Sequence, residues 1–336
     1  MPDALRHVLD WSDTDAWDVC LGRALHHAAH PGWTDVARGK SLGMLFFNSS
    51  LRTRTSMELA AAQLGAHPTT LDIGGGGVWG FAWDDEPMNA DRAEHIKEAV
   101  GVLSRYYDAL GVRLFASKTD LEEDRSDRLI HTFASHASVP VVNLESALLH
   151  PCQALADATT LRQRHADARG KRFVLTWAPH PRALPQAVPH SALLTAARLG
   201  YDVTLAHPPG FDLAPDVVAQ ARSLADAQGA SFETVHESAN ALTDADVVYA
   251  KAWSAPLVYT DPDAEAALRA QHADWRVTSQ RMATTNDAAF MHCLPVRRGV
   301  VVDSDVLDGR HAIHLDQAEN RLHAQKAILE WMWHLL

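Results

Sequence analysis

Short apolar runs alternate with helix-period segments along the whole chain, and this rhythm narrows the possible folds more than any other feature. Strand-like runs at 41–47, 69–73, 109–115 and 139–144 are separated by helical patterns at 53–65, 93–107 and 126–136. The second half repeats the habit, with strand-like runs at 172–177, 202–206, 231–235, 246–250 and 288–293 and helical patterns at 153–165, 184–199 and 215–228. In 93–107, Ile96, Val100 and Leu103 fall on one helical face. Strands buried on both faces read as continuous apolar runs, and parallel neighbours need a crossover helix between them. The pattern predicts an α/β chain with parallel sheets.

With 336 residues, 47% of them hydrophobic, the chain can build two ordinary domains with real cores. The boundary is expected near 146–152, where a long helix could bridge the halves. A formal net charge of −12 disfavours a nucleic-acid or membrane-surface binder. The three cysteines, Cys20, Cys152 and Cys293, are too few and too odd in number for a disulfide framework. A reducing cytoplasm fits them better. There is no apparent signal peptide and no apolar run approaching a membrane span. The 20 histidines form no H-E-x-x-H pair, and no paired C-x-x-C accompanies them, so no metal site is expected.

The apolar run Leu42–Phe47 leads into Ser50-Leu51-Arg52-Thr53-Arg54, and an amphipathic segment with Met57, Leu59, Ala60 and Leu64 follows. That order reads as strand, tight turn, helix. Unpaired backbone N–H groups and the positive end of the helix dipole favour an anion at such a turn. Arginine adds bidentate hydrogen bonds suited to phosphate oxygens. A Ser N-cap with two solvated arginines is the plainer alternative.

The stretch Phe46–Arg54 resembles the S-x-R-T-R carbamoyl-phosphate loop of the aspartate/ornithine carbamoyltransferase family. His150-Pro151-Cys152-Gln153 and His292-Cys293-Leu294-Pro295 resemble two further motifs of that family, in its order and roughly at its spacing. The resemblance implies two doubly wound parallel-sheet domains with the active site in the cleft between them. It implies a carbamoyl-phosphate domain at 1–148, with the C-terminal helix 317–336 packing back on it, and an acylornithine domain at 149–316. Ser50, Leu51, Arg52 and Thr53 would hold the phosphate, joined by Arg113 at a strand end and by Arg321. His150, Pro151, Cys152 and Gln153 would hold the carbamoyl end, and Cys293 and Leu294 would offer backbone carbonyls to its amide. Arg52, Arg113 and His150 form the implied catalytic set. Donors fixed on the carbonyl oxygen and the leaving phosphate suit a reaction in which negative charge grows at both. On the loop Gly74–Gly77, Trp79 would cross to a neighbouring subunit's site in a homotrimer, with Trp83 as the alternative. The implied chemistry needs no cofactor.

For the second substrate, the Ser-Met-Gly loop of ordinary ornithine enzymes is replaced by Val247-Val248-Tyr249-Ala250-Lys251-Ala252-Trp253. A lysine there suits a substrate without a positive α-amine but with carboxylates, as in N2-acylated ornithine. The stretches 176–189 and 290–298 resemble the succinylornithine branch. The acetyl branch carries a Glu, and often a modified Lys, near the acyl group; Ala93 and Val301 stand at those positions here. A Glu would repel a succinyl carboxylate. Ala93 removes that charge, although the succinyl branch has Pro there. By resemblance, Glu145, His180, Lys251 and Arg297, with Ala93, would form the acylornithine site. The expected activity is carbamoyl transfer to N2-succinyl-L-ornithine, with N2-acetyl-L-ornithine or a non-catalytic carbamoyl-phosphate-binding role as alternatives. The stretch Ala318–His323 resembles the acetyl branch more.

Overall fold

A computed structural model of the chain describes residues 5–73, 80–84, 87–88 and 92–336. Its contacts divide it into two units. The first comprises Met1–Ala116, Glu123–Ala156 and Asn320–Leu336; the second comprises Ser117–Glu122 and Asp157–Glu319. The division cuts the helix Pro151–Arg164, a few residues past the expected boundary, and cuts the terminal helix His314–Met332 near Asn320.

In the first unit a four-stranded parallel sheet runs in the order His67–Asp72, Ser41–Phe46, Ala109–Arg113, Val141–Glu145. The first strand in the chain lies inside the sheet, and its two successors flank it on opposite sides. Crossover helices therefore leave in opposite directions from the ends of Ser41–Phe46 and Ala109–Arg113. The crevice left at such a reversal is where open α/β sheets bind ligands. Leu45, Ile96, Val100, Leu110, Val112, Ile130 and Phe133 fill the core on one face. Gly111 is required by close packing, because a Cβ there would lie 2.9 Å from Leu144 Cδ1.

The second unit holds a five-stranded parallel sheet in the order Ala289–Met291, Val247–Lys251, Arg172–Trp177, Asp202–Ala206, Phe232–Val235. Here the reversal falls between Arg172–Trp177 and Val247–Lys251, and Trp177 pairs with Lys251 at their carboxyl ends.

Three expected elements differ in the structure. The helix expected at 126–136 is broken at Asp127, which has φ +51°. Its carboxylate is held by the Ser146 hydroxyl and by the N–H groups of Ala147 and Leu148. The helix expected from 184 starts at Ala187, because the Leu184 carbonyl accepts from Ser254 instead. The strand expected over 288–293 stops at Met291, where the His292 N–H turns to the Gln317 side chain. A helix that the periodicity reading passed over, Thr14–Ala29, buries Trp17, Cys20, Leu21 and Ala24. It meets the terminal helix through a buried carboxylate, Glu330, bonded to Arg23 and His27.

No helix among the described residues is long and apolar enough to cross a membrane. Among them no cluster of His, Cys, Asp and Glu could hold a metal ion.

Candidate functional site

Three strand ends of the first unit deliver side chains to its sheet reversal. After Phe46 the chain turns through Ser50 and enters the helix Arg52–Gln63. Leu51 stands at the cap position without a side-chain cap and is largely exposed, while the Ser50 hydroxyl accepts from the Thr53 N–H at 3.2 Å. Arg52 opens the helix, half-buried, and its first turn carries no acidic residue, so its positive end is not neutralised locally. Arg54 turns aside to Asp72 and Glu58 on the surface.

Arg113 ends its strand and is 7% exposed. Its Nη1 donates to Thr53 Oγ1 at 3.3 Å, to the Leu144 carbonyl at 3.3 Å and to Glu145 Oε2 at 2.6 Å. Its buried Nε has no hydrogen-bond partner among the described residues. Arg321 reaches the same hydroxyl, with Nη2 at 2.8 Å from Thr53 Oγ1 and Nη1 at 2.7 Å from Gln153 Oε1. One buried threonine oxygen thus gathers two guanidiniums from strand and terminal helix, and the second of them ties in Gln153. Residues from positions 53, 113, 153 and 321 meet within hydrogen-bond distance.

His150 is buried beside them, with Nε2 at 3.5 Å from Glu145 Oε2. Burial, and then the positive charges of Arg321 and Arg113, hold its pKa well below the ordinary histidine range. It is a neutral imidazole at physiological pH. Pro151 begins the following helix. Cys152 is fully buried, and burial pushes its thiol up to about 11, so it is an inert packing residue.

Glu145, expected to bind the acylornithine, stands in the first unit beside Arg113 and His150. Its φ is +146°, a conformation costly for any residue with a Cβ, and the strand register slips between Val112 and Arg113 alongside it. Such strain, of order 1–3 kcal/mol, collects where a side chain is aimed for function. The Asn143 side chain accepts the Glu145 N–H and helps to hold it.

The second unit assembles another group at its own reversal. His180 follows the Arg172–Trp177 strand, and Lys251 ends the neighbouring one. Arg297 Nε donates to His180 Nε2 at 3.0 Å, and Nδ1 lies 2.9 Å from the Arg182 carbonyl and 3.0 Å from the Arg182 N. Burial lowers the His180 pKa; the Arg182 carbonyl opposes this, while Arg297, Lys251 and Arg269 add to it. Lys251 is 9% exposed, and among the described residues Nζ donates to the Ala252 carbonyl at 3.2 Å. Among the described residues no carboxylate pairs with Lys251 or Arg297. Arg298, next in sequence, is matched twice at 2.8 Å by Asp308. A lysine and an arginine beside an imidazole are chemically suited to accept a carboxylate.

Arg269 also belongs to this group, although periodicity gave no sign of it. It is buried, forms an i,i+4 pair with Glu265 on the helix Pro262–Ala270, and donates from Nη1 to the His180 carbonyl at 2.7 Å. The spacing of Glu265 and Arg269 was a visible signal, but it reads equally as a solvated surface pair.

The turn His292–Pro295 lies in the same unit. The Leu294 N–H donates to His292 Nδ1 at 2.8 Å, and Leu294 has φ +59°, in the left-handed region. Cys293 is partly exposed and not in a disulfide. Ala93 is an exposed residue of the first unit whose N–H donates to the Gly80 carbonyl. Val301 is buried and uncharged. Trp79 lies outside the described residues. Trp83 packs on Phe47 at 6.2 Å between ring centroids, against the core of its own unit.

Residues 6–163 match the family model described as aspartate/ornithine carbamoyltransferase, carbamoyl-P binding domain, and residues 185–332 match its Asp/Orn binding domain. The N-acetylornithine carbamoyltransferase of Xanthomonas campestris pv. campestris is 40% identical over 333 residues, covering 97% of both chains. The N-succinylornithine carbamoyltransferase of Bacteroides thetaiotaomicron is 39% identical over 294 residues, covering 86% of both. One similar solved structure is an alanine-for-glutamate mutant of N-acetyl-L-ornithine transcarbamylase complexed with carbamyl phosphate and N-succinyl-L-norvaline. It superposes with a TM-score of 0.92 at 41% identity, over 97% of this chain and 99% of that one.

Proposed function

We propose, since this chain belongs to the aspartate/ornithine carbamoyltransferase family and is a carbamoyltransferase, that it transfers the carbamoyl group of carbamoyl phosphate to the δ-amine of N2-succinyl-L-ornithine. The products are N-succinyl-L-citrulline and phosphate, a step of arginine biosynthesis in the cytoplasm. The observation that carries the transfer chemistry is the convergence of Arg113 and Arg321 on Thr53 beside a neutral His150. Guanidiniums at a helix N-terminus take the phosphate, with Ser50, Leu51, Arg52 and Thr53 as the cradle. His150, unprotonated overall, donates to the carbonyl oxygen as charge grows there, and Gln153 and the Cys293 and Leu294 carbonyls hold the amide. The neutral amine attacks the carbonyl carbon, a C–N bond forms, and the C–O bond to phosphate breaks. The departing phosphate takes the amine proton.

Glu145 fits this scheme at the reacting end of the acylornithine. A carboxylate beside His150 accepts a hydrogen bond from the δ-amine, and Arg113 is then divided between Glu145 and phosphate. His180, Lys251 and Arg297 receive the carboxylates. Neighbouring subunits of a homotrimer share their active sites.

The succinyl preference is supported by Ala93. It stands where the acetyl enzymes carry a glutamate, and the alanine mutant of one such enzyme has been crystallised with N-succinyl-L-norvaline. Acetylornithine is the second reading, favoured by the longer match to the acetyl enzyme. Ala93→Glu tests the choice. A carboxylate facing the succinyl group costs several kcal/mol when desolvated, so kcat/KM for succinylornithine relative to acetylornithine is expected to fall on the order of 100-fold. Steady-state kinetics with both substrates measures this, and an unchanged ratio would sink the assignment of Ala93.

A further inference from the structure

A buried polar network in the second unit has no place in the substrate-binding set, and it ends on the His292–Pro295 turn. Asp157 and Gln317 are each 1% exposed, Tyr249 is fully buried and His292 is 2% exposed. Gln317 Nε2 donates to Asp157 Oδ1 at 2.7 Å and to the Tyr249 hydroxyl at 3.1 Å. The Tyr249 hydroxyl lies beside Asp157. On its other side, Gln317 Oε1 accepts the His292 N–H at 3.0 Å.

The chemistry of these groups fixes the direction of the amide. An ionised carboxylate only accepts, and an N–H only donates. With Asp157 on one side and the His292 N–H on the other, a flipped Gln317 would set oxygen against oxygen and hydrogen against hydrogen. Asp157 therefore dictates which end of Gln317 meets the turn. Both N–H groups flanking Cys293 are then held inward, one by Gln317 and one by the His292 ring. No hydrogen bond among the described residues takes up the Leu294 carbonyl, and Leu294 keeps a left-handed backbone that a leucine adopts only at a cost.

We infer that Gln317 is a positioning residue: oriented by Asp157 and Tyr249, it holds the His292–Pro295 turn so that the Cys293 and Leu294 carbonyls meet the carbamoyl amide. The inference rests on the proposed role of that turn in holding carbamoyl phosphate. Burial, followed by the nearby Asp157 and Cys293, pushes the Tyr249 hydroxyl well above its ordinary range, so it stays protonated at every working pH. A sub-ångström shift of the turn would misplace two acceptors at once.

Two variants test this, with thermal unfolding run on each. Gln317→Met keeps the bulk and removes both hydrogen-bonding ends. Its kcat/KM for carbamoyl phosphate is expected to fall on the order of 10- to 100-fold, with the KM for the acylornithine little changed. Gln317→Glu reads out the direction of the amide. When ionised it opposes Asp157; when protonated it donates one O–H to Asp157 and accepts from His292. Its activity relative to wild type is therefore expected to rise as the buffer goes from weakly alkaline to weakly acidic. Wild-type kinetics for Gln317→Met, or a flat ratio for Gln317→Glu, would overturn the positioning role while leaving the proposed activity intact. A wild-type enzyme that transfers no carbamoyl group would overturn the activity, and the inference with it.

Discussion

Arg113→Met is expected to lower kcat/KM for carbamoyl phosphate by roughly 1,000-fold and to destabilise the fold as well. The guanidinium lies against Thr53, with a buried Nε that has no partner among the described residues, at the strand end that the sheet reversal opens to a ligand. Removing a fixed donor from the developing charge typically costs about 100- to 1,000-fold. The variant also strands Glu145, 8% exposed, without its 2.6 Å partner. An uncompensated buried carboxylate costs about 3–5 kcal/mol. The double variant Arg113→Met with Glu145→Gln separates the two effects. It should recover much of the stability in denaturant unfolding and little of the activity in phosphate-release kinetics. Activity within a few-fold of wild type in the single variant would remove Arg113 from the phosphate site.

Lys251→Met is expected to raise the KM for the acylornithine roughly 100-fold while leaving the KM for carbamoyl phosphate nearly unchanged. Lys251 is a buried strand-end cation whose nearest bond is to a carbonyl, so a substrate carboxylate is its natural counter-ion. A charge-assisted bond in a desolvated site is worth about 2–3 kcal/mol. Arg298→Met is the internal control. That side chain is exposed and already matched by Asp308, and such surface pairs contribute at most about 1 kcal/mol. Steady-state kinetics with each substrate varied in turn distinguishes the two. Equal effects of the two variants would mean that charge in general, and not a receptor built at Lys251, draws in the acylornithine.

The sheets were legible because strands buried on both faces leave continuous apolar runs. Arg172–Trp177 and Asp202–Ala206 match their expected limits, and most other strands lie within two residues of theirs. What the periodicity could not carry was any bond between distant segments. The helix break at Asp127 depends on backbone N–H groups about twenty residues away, and the end of the Ala289–Met291 strand depends on Gln317. In the first unit the motifs named Thr53, Arg113, Gln153 and Arg321 individually. Only the structure shows that one hydroxyl gathers both guanidiniums. Glu145 was legible as a strand-end carboxylate, yet its pairing with Arg113 follows from a register slip that no local pattern signals. Gln317 was invisible for the opposite reason. A glutamine in a helix reads as a solvated side chain, and its partner Asp157 lies 160 residues away.

The central claim is carbamoyl transfer to a succinylated ornithine, and one measurement meets it directly. Carbamoyl phosphate is offered to the purified protein with N2-succinylornithine, N2-acetylornithine and ornithine separately, and ureido product is quantified for each. The expected result is turnover fastest with succinylornithine, slower with acetylornithine and negligible with ornithine. Preference for acetylornithine or ornithine, or no product from any of the three, would contradict it.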